Sequence, residues 1–154
     1  MKKYSKYCKS QFPVILLFDN ETEKQDKPLR NFINSMGSSK VELDDINVRL
    51  KQKLVENSNL YLLTHKLKEG TTESEIEDLF DELTLKVQVG GKKFEKNTNR
   101  KNNDTCFGKE IFSQYVLEHY KTIDFTGFIP LLNDIREIIN EVTSNSQPNS
   151  VNKG

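Results

Sequence analysis

The chain has 154 residues, 34% of them hydrophobic and 30% charged, with 23 basic and 23 acidic side chains in balance. That length suits one domain with its own core, and a formal net charge of zero excludes any argument from global charge for or against a nucleic-acid partner. The longest apolar run is five residues, far short of the ~20 that span a bilayer, and Met1-Lys2-Lys3-Tyr4-Ser5-Lys6 has no apolar signal-peptide stretch, so the expectation is a cytoplasmic protein with no membrane partner.

Residues 1–12 read as an extended lead-in. Pro13-Val14-Ile15-Leu16-Leu17-Phe18 then reads as a strand covered on both faces, because its apolar residues do not alternate with polar ones. Asp19 and Glu21 follow at its carboxyl end, where open α/β sheets bind ligands. Pro28 suits the first turn of a helix carrying Leu29, Phe32, Ile33 and Met36 and ended by Gly37. Together these make strand, acidic turn and helix, half of a βαβ unit.

Residues 40–57 are ambiguous, with Val41, Leu43, Ile46, Leu50, Leu54 and Val55 able to line one side of a helix. Leu60-Tyr61-Leu62-Leu63-Thr64 reads as a second buried strand beside the first. Thr72 and Glu75 form a capping-box pattern for a helix striped by Ile76, Leu79, Phe80 and Leu83. Val87 to Gly91 reads as a short strand or turn, and Lys92 to Asp104 as a mobile loop. Gly108 opens a helix with Ile111, Phe112, Tyr115, Val116 and Tyr120 on one face. A last helix carries Phe128, Leu131, Leu132, Ile135, Ile138, Ile139 and Val142, and residues 144–154 read as a disordered tail.

Three groups of residues bear on chemistry. Asp19 and Glu21, joined by Glu73, Glu75, Glu77 and Asp78 if the two strands are parallel, offer the hard oxygen donors that Mg²⁺ takes, with Mn²⁺ as a substitute. Acids in a helix's first turn are also favoured by the macrodipole alone, so a purely structural role stands beside this one. Lys109 stands at a helix start, where a cation opposes the dipole, and fits a phosphate-holding role or a solvated surface lysine. Lys92, Lys93, Lys96, Arg100 and Lys101 make a basic cluster that suits either a nucleic-acid backbone or a solvated loop. Cys8 and Cys106 lack a motif partner and read as reduced thiols. His65 and His119 stand alone and read as surface or core residues rather than ligands, and the Tyr4/Tyr7 and Phe125/Phe128 pairs as core anchors.

The ordered blocks Pro13 to Glu21, Asn59 to Leu63, Glu73 to Phe80, Gly90-Gly91-Lys92-Lys93-Phe94, Phe107 to Phe112 and Ile123 to Leu132 together resemble the Toprim-like C-terminal extension of bacterial retron-type reverse transcriptases. That extension is akin to the metal-dependent nuclease domains of overcoming-lysogenisation-defect proteins, topoisomerases and primases. The resemblance runs from about Phe12 to Val142. It implies that Asp19 and Glu21 match the family's Asp-x-Asp metal pair, with Glu21 one methylene longer. It likewise implies that Glu73, Glu77 and Asp78 match acids of the following block, and that Lys109 matches a Gly-Lys lysine of related nucleases.

Two features depart from the family. The twelve residues before Pro13 hold no counterpart of the strand bearing the first Toprim glutamate, and no Tyr-x-Asp-Asp-like polymerase block occurs. The chain therefore reads as the distal piece of a longer protein, a split gene product or a decayed copy, with polymerase activity by kinship only. The expected fold is α/β, a partial Toprim-like, mostly parallel sheet of three to four strands flanked by helices over residues 13–143. The expected function is Mg²⁺-dependent phosphodiester chemistry on DNA or an RNA–DNA hybrid. Glu77 and Lys109 would be catalytic, a reverse transcriptase polypeptide would be a partner, and antiviral defence is the role implied by kinship. The alternatives are a non-catalytic module that docks on nucleic acid or polymerase, and a remnant of a reverse transcriptase gene.

Overall fold

The apolar run after Pro13 forms strand β1, Val14–Phe18. In this computed structural model the described residues are 12–21, 26–36, 49–54, 56, 58–97 and 104–144. After β1 come α1 (Pro28–Met36), β2 (Lys51–Lys53), β3 (Leu60–Thr64) and a 3₁₀ turn over Ile76–Leu79. The order continues with α2 (Glu82–Leu85), β4 (Gln88–Val89), β5 (Lys92–Phe94), β6 (Cys106–Phe107), α3 (Lys109–His119), a 3₁₀ turn over Thr126–Phe128, and α4 (Ile129–Ser144). The class is mixed α/β, with the strands divided between two three-stranded mixed sheets. Two compact units are present, Met1–Ile76 with Ile129–Gly154, and Glu77–Phe128.

In the first unit the strand order is β1-β3-β2. The pairing of β1 with β3 is parallel, as expected, and runs from Val14 opposite Leu60 to Phe18 opposite Thr64. Strand β2 lies antiparallel on the other side of β3. Leu62, on the central strand, packs with Leu29 and Ile33 of α1 and with Leu50 and Leu54. Successive strand side chains face opposite ways, so Tyr61 points away from this cluster. Its hydroxyl donates to Glu141 of α4 at 2.9 Å, and Lys51 of β2 meets Glu137 at 2.5 Å. Helices therefore flank the sheet on opposite faces. Leu131, Asp134, Ile138 and Val142 form the buried stripe of α4, and Asp134 holds Arg49 at 2.9 Å and Lys51 at 3.5 Å.

Several expectations are corrected here. Strand β1 is not covered on both faces: it is an edge strand, and Leu17 is 42% exposed, because the α4 contacts named above go to β2 and β3. The helix considered for residues 40–57 is, within its described part, the strand β2. Leu50, Gln52 and Leu54 follow the two-residue period of a strand, and Thr64 N–H to Leu50 O (2.8 Å) and Leu54 N–H to Leu60 O (2.9 Å) close its ends. No helix starts at Thr72. Asn20 and Ser74 instead exchange two backbone hydrogen bonds of 2.9 Å, which extends the chain there. The capping role falls to Asp81, whose carboxylate accepts from Thr84 N (3.2 Å) and Leu83 N (3.3 Å) at the start of α2. On α4, Leu132 and Ile139 are exposed rather than packed, as are Ile111 and Tyr120 in the α3 region.

The second unit is built on phenylalanine. Phe94 stacks on Phe112 at 4.1 Å, and Phe80 meets Phe112, Phe125 and Phe128 edge-on at 4.8–5.7 Å between centroids. Its sheet order is β4-β5-β6, with β4–β5 antiparallel and β5–β6 parallel. The β4–β5 hairpin turns on Gly90 and Gly91, at φ +58° and +76°, a left-handed pair that suits a two-residue turn. The region expected to be a loop from Lys92 therefore begins as a strand, and its residues 98–103, like residues 1–11 of the lead-in and 145–154 of the tail, lie outside the described residues. Among the described residues no helix is long and apolar enough to cross a membrane.

Candidate functional site

Parallel pairing brings the carboxyl ends of β1 and β3 together, and with them the residues that follow. Phe18 pairs with Thr64, so Asp19 and His65 come next in register. Asp19 Oδ1 accepts a hydrogen bond from Ile76 N at 2.8 Å and lies 3.9 Å from His65 Nε2. Asn20 is wholly buried and donates its Nδ2–H to His65 O at 3.0 Å. At the tip of β1 a cleft of about 320 Å³ is lined by Leu17, Phe18, Asp19, Glu21, Pro28, Leu29 and Ile76. This is the crevice position at which open α/β sheets bind ligands.

The electrostatics of this end favour a positive charge. Lys27 forms an ion pair with Glu21. Its ammonium is held above the ordinary lysine value by that hydrogen bond, against the opposing effect of burial and with further help from the fields of Glu21, Glu75 and Glu73. Glu21 thus pairs with Lys27, and Glu75 and Glu73 act on it only through their field. Beside them, Asn20 Oδ1, His65 Nε2 and Ser74 Oγ are buried without a hydrogen-bond partner among the described residues. Polar atoms left so in a folded core are unusual and call for an explanation.

The other predicted site residues lie in the second unit. Lys109 Nζ donates to Glu77 Oε2 at 2.9 Å, and Lys96 Nζ to Asp78 Oδ1 at 2.5 Å. Glu77 and Lys109, both expected to be catalytic, thus pair with one another in the second unit, the lysine being the first residue of α3. Of the basic cluster, Lys92 and Lys93 sit on β5, where successive side chains face opposite ways. Lys96 is engaged by Asp78, and Arg100 and Lys101 lie outside the described residues.

Asp19, Glu21 and Glu73 belong to the first unit, Glu77 and Asp78 to the second. Among the described residues no group of three or more His, Cys, Asp or Glu side chains is arranged to hold a metal ion. The two carboxylates lining the cleft, Asp19 and Glu21, are the number that Mg²⁺ takes from protein when water and phosphate complete its shell, so the donor chemistry fits a two-ligand site. Sequence reasoning missed Lys27, Asn20, His65 and Ser74. The signal for His65 was available: it follows the second strand as Asp19 follows the first, and a parallel register makes the two neighbours. No protein-family model matches the chain, and no solved structure matches it.

Proposed function

We propose that this chain is the Toprim-like segment of a retron-type reverse transcriptase, and that its β1-end cleft is a Mg²⁺-dependent site for phosphodiester chemistry on nucleic acid. The observation that carries this reading is the cleft at the tip of a parallel strand pair, lined by Asp19 and Glu21, with Lys27 paired to Glu21 beside it. The ordered sequence blocks named above support it independently. Asp19 and Glu21 would hold the metal, with Glu73 adding negative field. A bound dication supplies charge neutralisation at phosphate and a more acidic bound water. The protein's own part there is to hold Asp19 through the Ile76 amide, while Lys109 and Glu77 pair within the second unit.

Calorimetric titration with Mg²⁺ and Mn²⁺ tests the site. Binding to the parent chain and its loss in Asp19→Asn are expected, since the amide still accepts from Ile76 N but brings no charge. Equal binding by both proteins would count against the reading.

A second reading, a docking module for nucleic acid or a polymerase polypeptide, is favoured by the exposed Ile129, Leu132 and Ile139 along α4. A gel-shift in EDTA separates the two. Retention of nucleic acid that acid-to-amide changes leave untouched supports docking, and no retention of either partner removes it.

A further inference from the structure

His65 Nδ1 lies 3.1 Å from the carbonyl oxygen of Lys66. A carbonyl only accepts, so Nδ1 carries the hydrogen, and on the neutral ring Nε2 is left as a lone pair. The His65 side chain is 0% exposed, and Nε2 has no hydrogen-bond partner among the described residues. It faces Asp19 Oδ1 at 3.9 Å. The buried nitrogen and the partly exposed carboxylate oxygen repel at this distance unless a positive charge stands between them. We infer that His65 Nε2 and Asp19 Oδ1 together form a mixed nitrogen–oxygen site for a late first-row divalent metal, of which Zn²⁺ and Co²⁺ are the probes.

The geometry allows it. Metal bonds to imidazole nitrogen and carboxylate oxygen are each about 2.0–2.2 Å long, so two such atoms 3.9 Å apart can share one ion at a wide angle. Imidazole is a ligand of zinc, copper, iron and nickel rather than of magnesium, so this atom adds to Asp19 a donor that Mg²⁺ does not favour. A ring oriented by Nδ1–H on a carbonyl is also how metal-binding histidines are commonly fixed. Asp19 is already held by the Ile76 amide, and its side chain is 35% exposed, which leaves open positions toward the cleft for water or a phosphate oxygen. This inference rests on reading the Asp19 cleft as a cation site and names a second class of metal that Asp19 can share with His65.

The test is a Zn²⁺ titration of the full chain labelled with ¹⁵N, carrying His119→Gln so that the second of its two histidines does not contribute. The expected result is a large displacement of the His65 Nε2 resonance at saturation. A loss of Zn²⁺ and Co²⁺ affinity of about tenfold or more in His65→Gln should accompany it, since even indirect partners of a metal ligand are worth about that much. A His65 ring unmoved by saturating Zn²⁺, or one holding a proton on Nε2 with and without metal, overturns the inference. The spectrum of the unaltered His65 decides the matter even if His65→Gln fails to fold. Mg²⁺ binding that Asp19→Asn abolishes, with His65 unmoved by Zn²⁺, sinks this inference and keeps the cleft's broader role. A Zn²⁺-shifted His65 with no Mg²⁺ or Mn²⁺ binding does the reverse.

Discussion

Lys109 reaches Glu77 across 2.9 Å, although 32 positions separate them in the chain. The lysine side chain is 39% exposed, so water screens the pair, and its coupling in a double-mutant cycle of Lys109→Met with Glu77→Gln is expected at about 0.5–1 kcal/mol, smaller at high salt. A coupling indistinguishable from zero at low salt would show that the pair contributes nothing net.

Asn20 is the next test, because its side chain joins two loops. Asn20→Ala removes the Nδ2–H donated to His65 O in a wholly buried place. Leaving that carbonyl short of a donor costs about 1–3 kcal/mol, read as a lower midpoint in urea unfolding. A midpoint within error of the parent would show that the bond contributes nothing net.

The ion cluster on α4 gives an asymmetric expectation. Asp134 is 3% exposed, whereas the side chains of its partners Arg49 and Lys51 are 42% and 26% exposed. Removing the acid frees two cations that water can reach, and removing both cations strands a buried carboxylate. The double change Arg49→Ala/Lys51→Ala should therefore cost about 3–5 kcal/mol, more than Asp134→Ala at about 1–2 kcal/mol. Denaturant melts that reverse this order would refute it.

Gly127 sits against the backbone of the second unit. A Cβ there would meet Leu79 O at 2.1 Å, and a carbonyl in a 3₁₀ turn cannot step aside as a flexible side chain would. Gly127→Ala is expected to destabilise by about 1–3 kcal/mol, with the loss visible in the near-ultraviolet signal of the phenylalanine cluster. Full retention of that signal and of the melting midpoint would show that the turn yields freely.

Tyr61 predicts an alkaline limb. Burial, and then the hydrogen bond to Glu141, push its hydroxyl from 10.0 up to about 12. Between those values the unfolded chain has lost a proton that the folded chain keeps, so stability falls as pH rises through that window. Tyr61→Phe should flatten that fall in denaturation curves taken across it, and an unchanged slope would exclude Tyr61 as its source.

The residues that were legible in sequence are those whose local pattern and tertiary role agree. Val14–Phe18, Pro28–Met36, Leu60–Thr64 and Lys109–His119 are strongly patterned, and each appears as the element expected. Residues 72–85 carried a good capping box, yet the Asn20–Ser74 exchange and the Asp19 bond to Ile76 took those backbone groups first. Lys92 to Phe94 looked like loop because its lysines hide a strand whose partner, Cys106–Phe107, is remote in sequence.

Of the candidate site, the chain order alone determined that two acids follow the first strand, that a lysine opens α3, and that the β1 and β3 segments are apolar enough to pair. The tertiary structure decided which atoms meet: His65 beside Asp19, Lys27 among the glutamates, Lys109 on Glu77. The reason is one of range. Hydrophobic period and turn chemistry act over a few neighbouring residues and are written in the sequence, whereas the partner of a buried polar atom is set by strand register and packing between segments 32 to 57 positions apart.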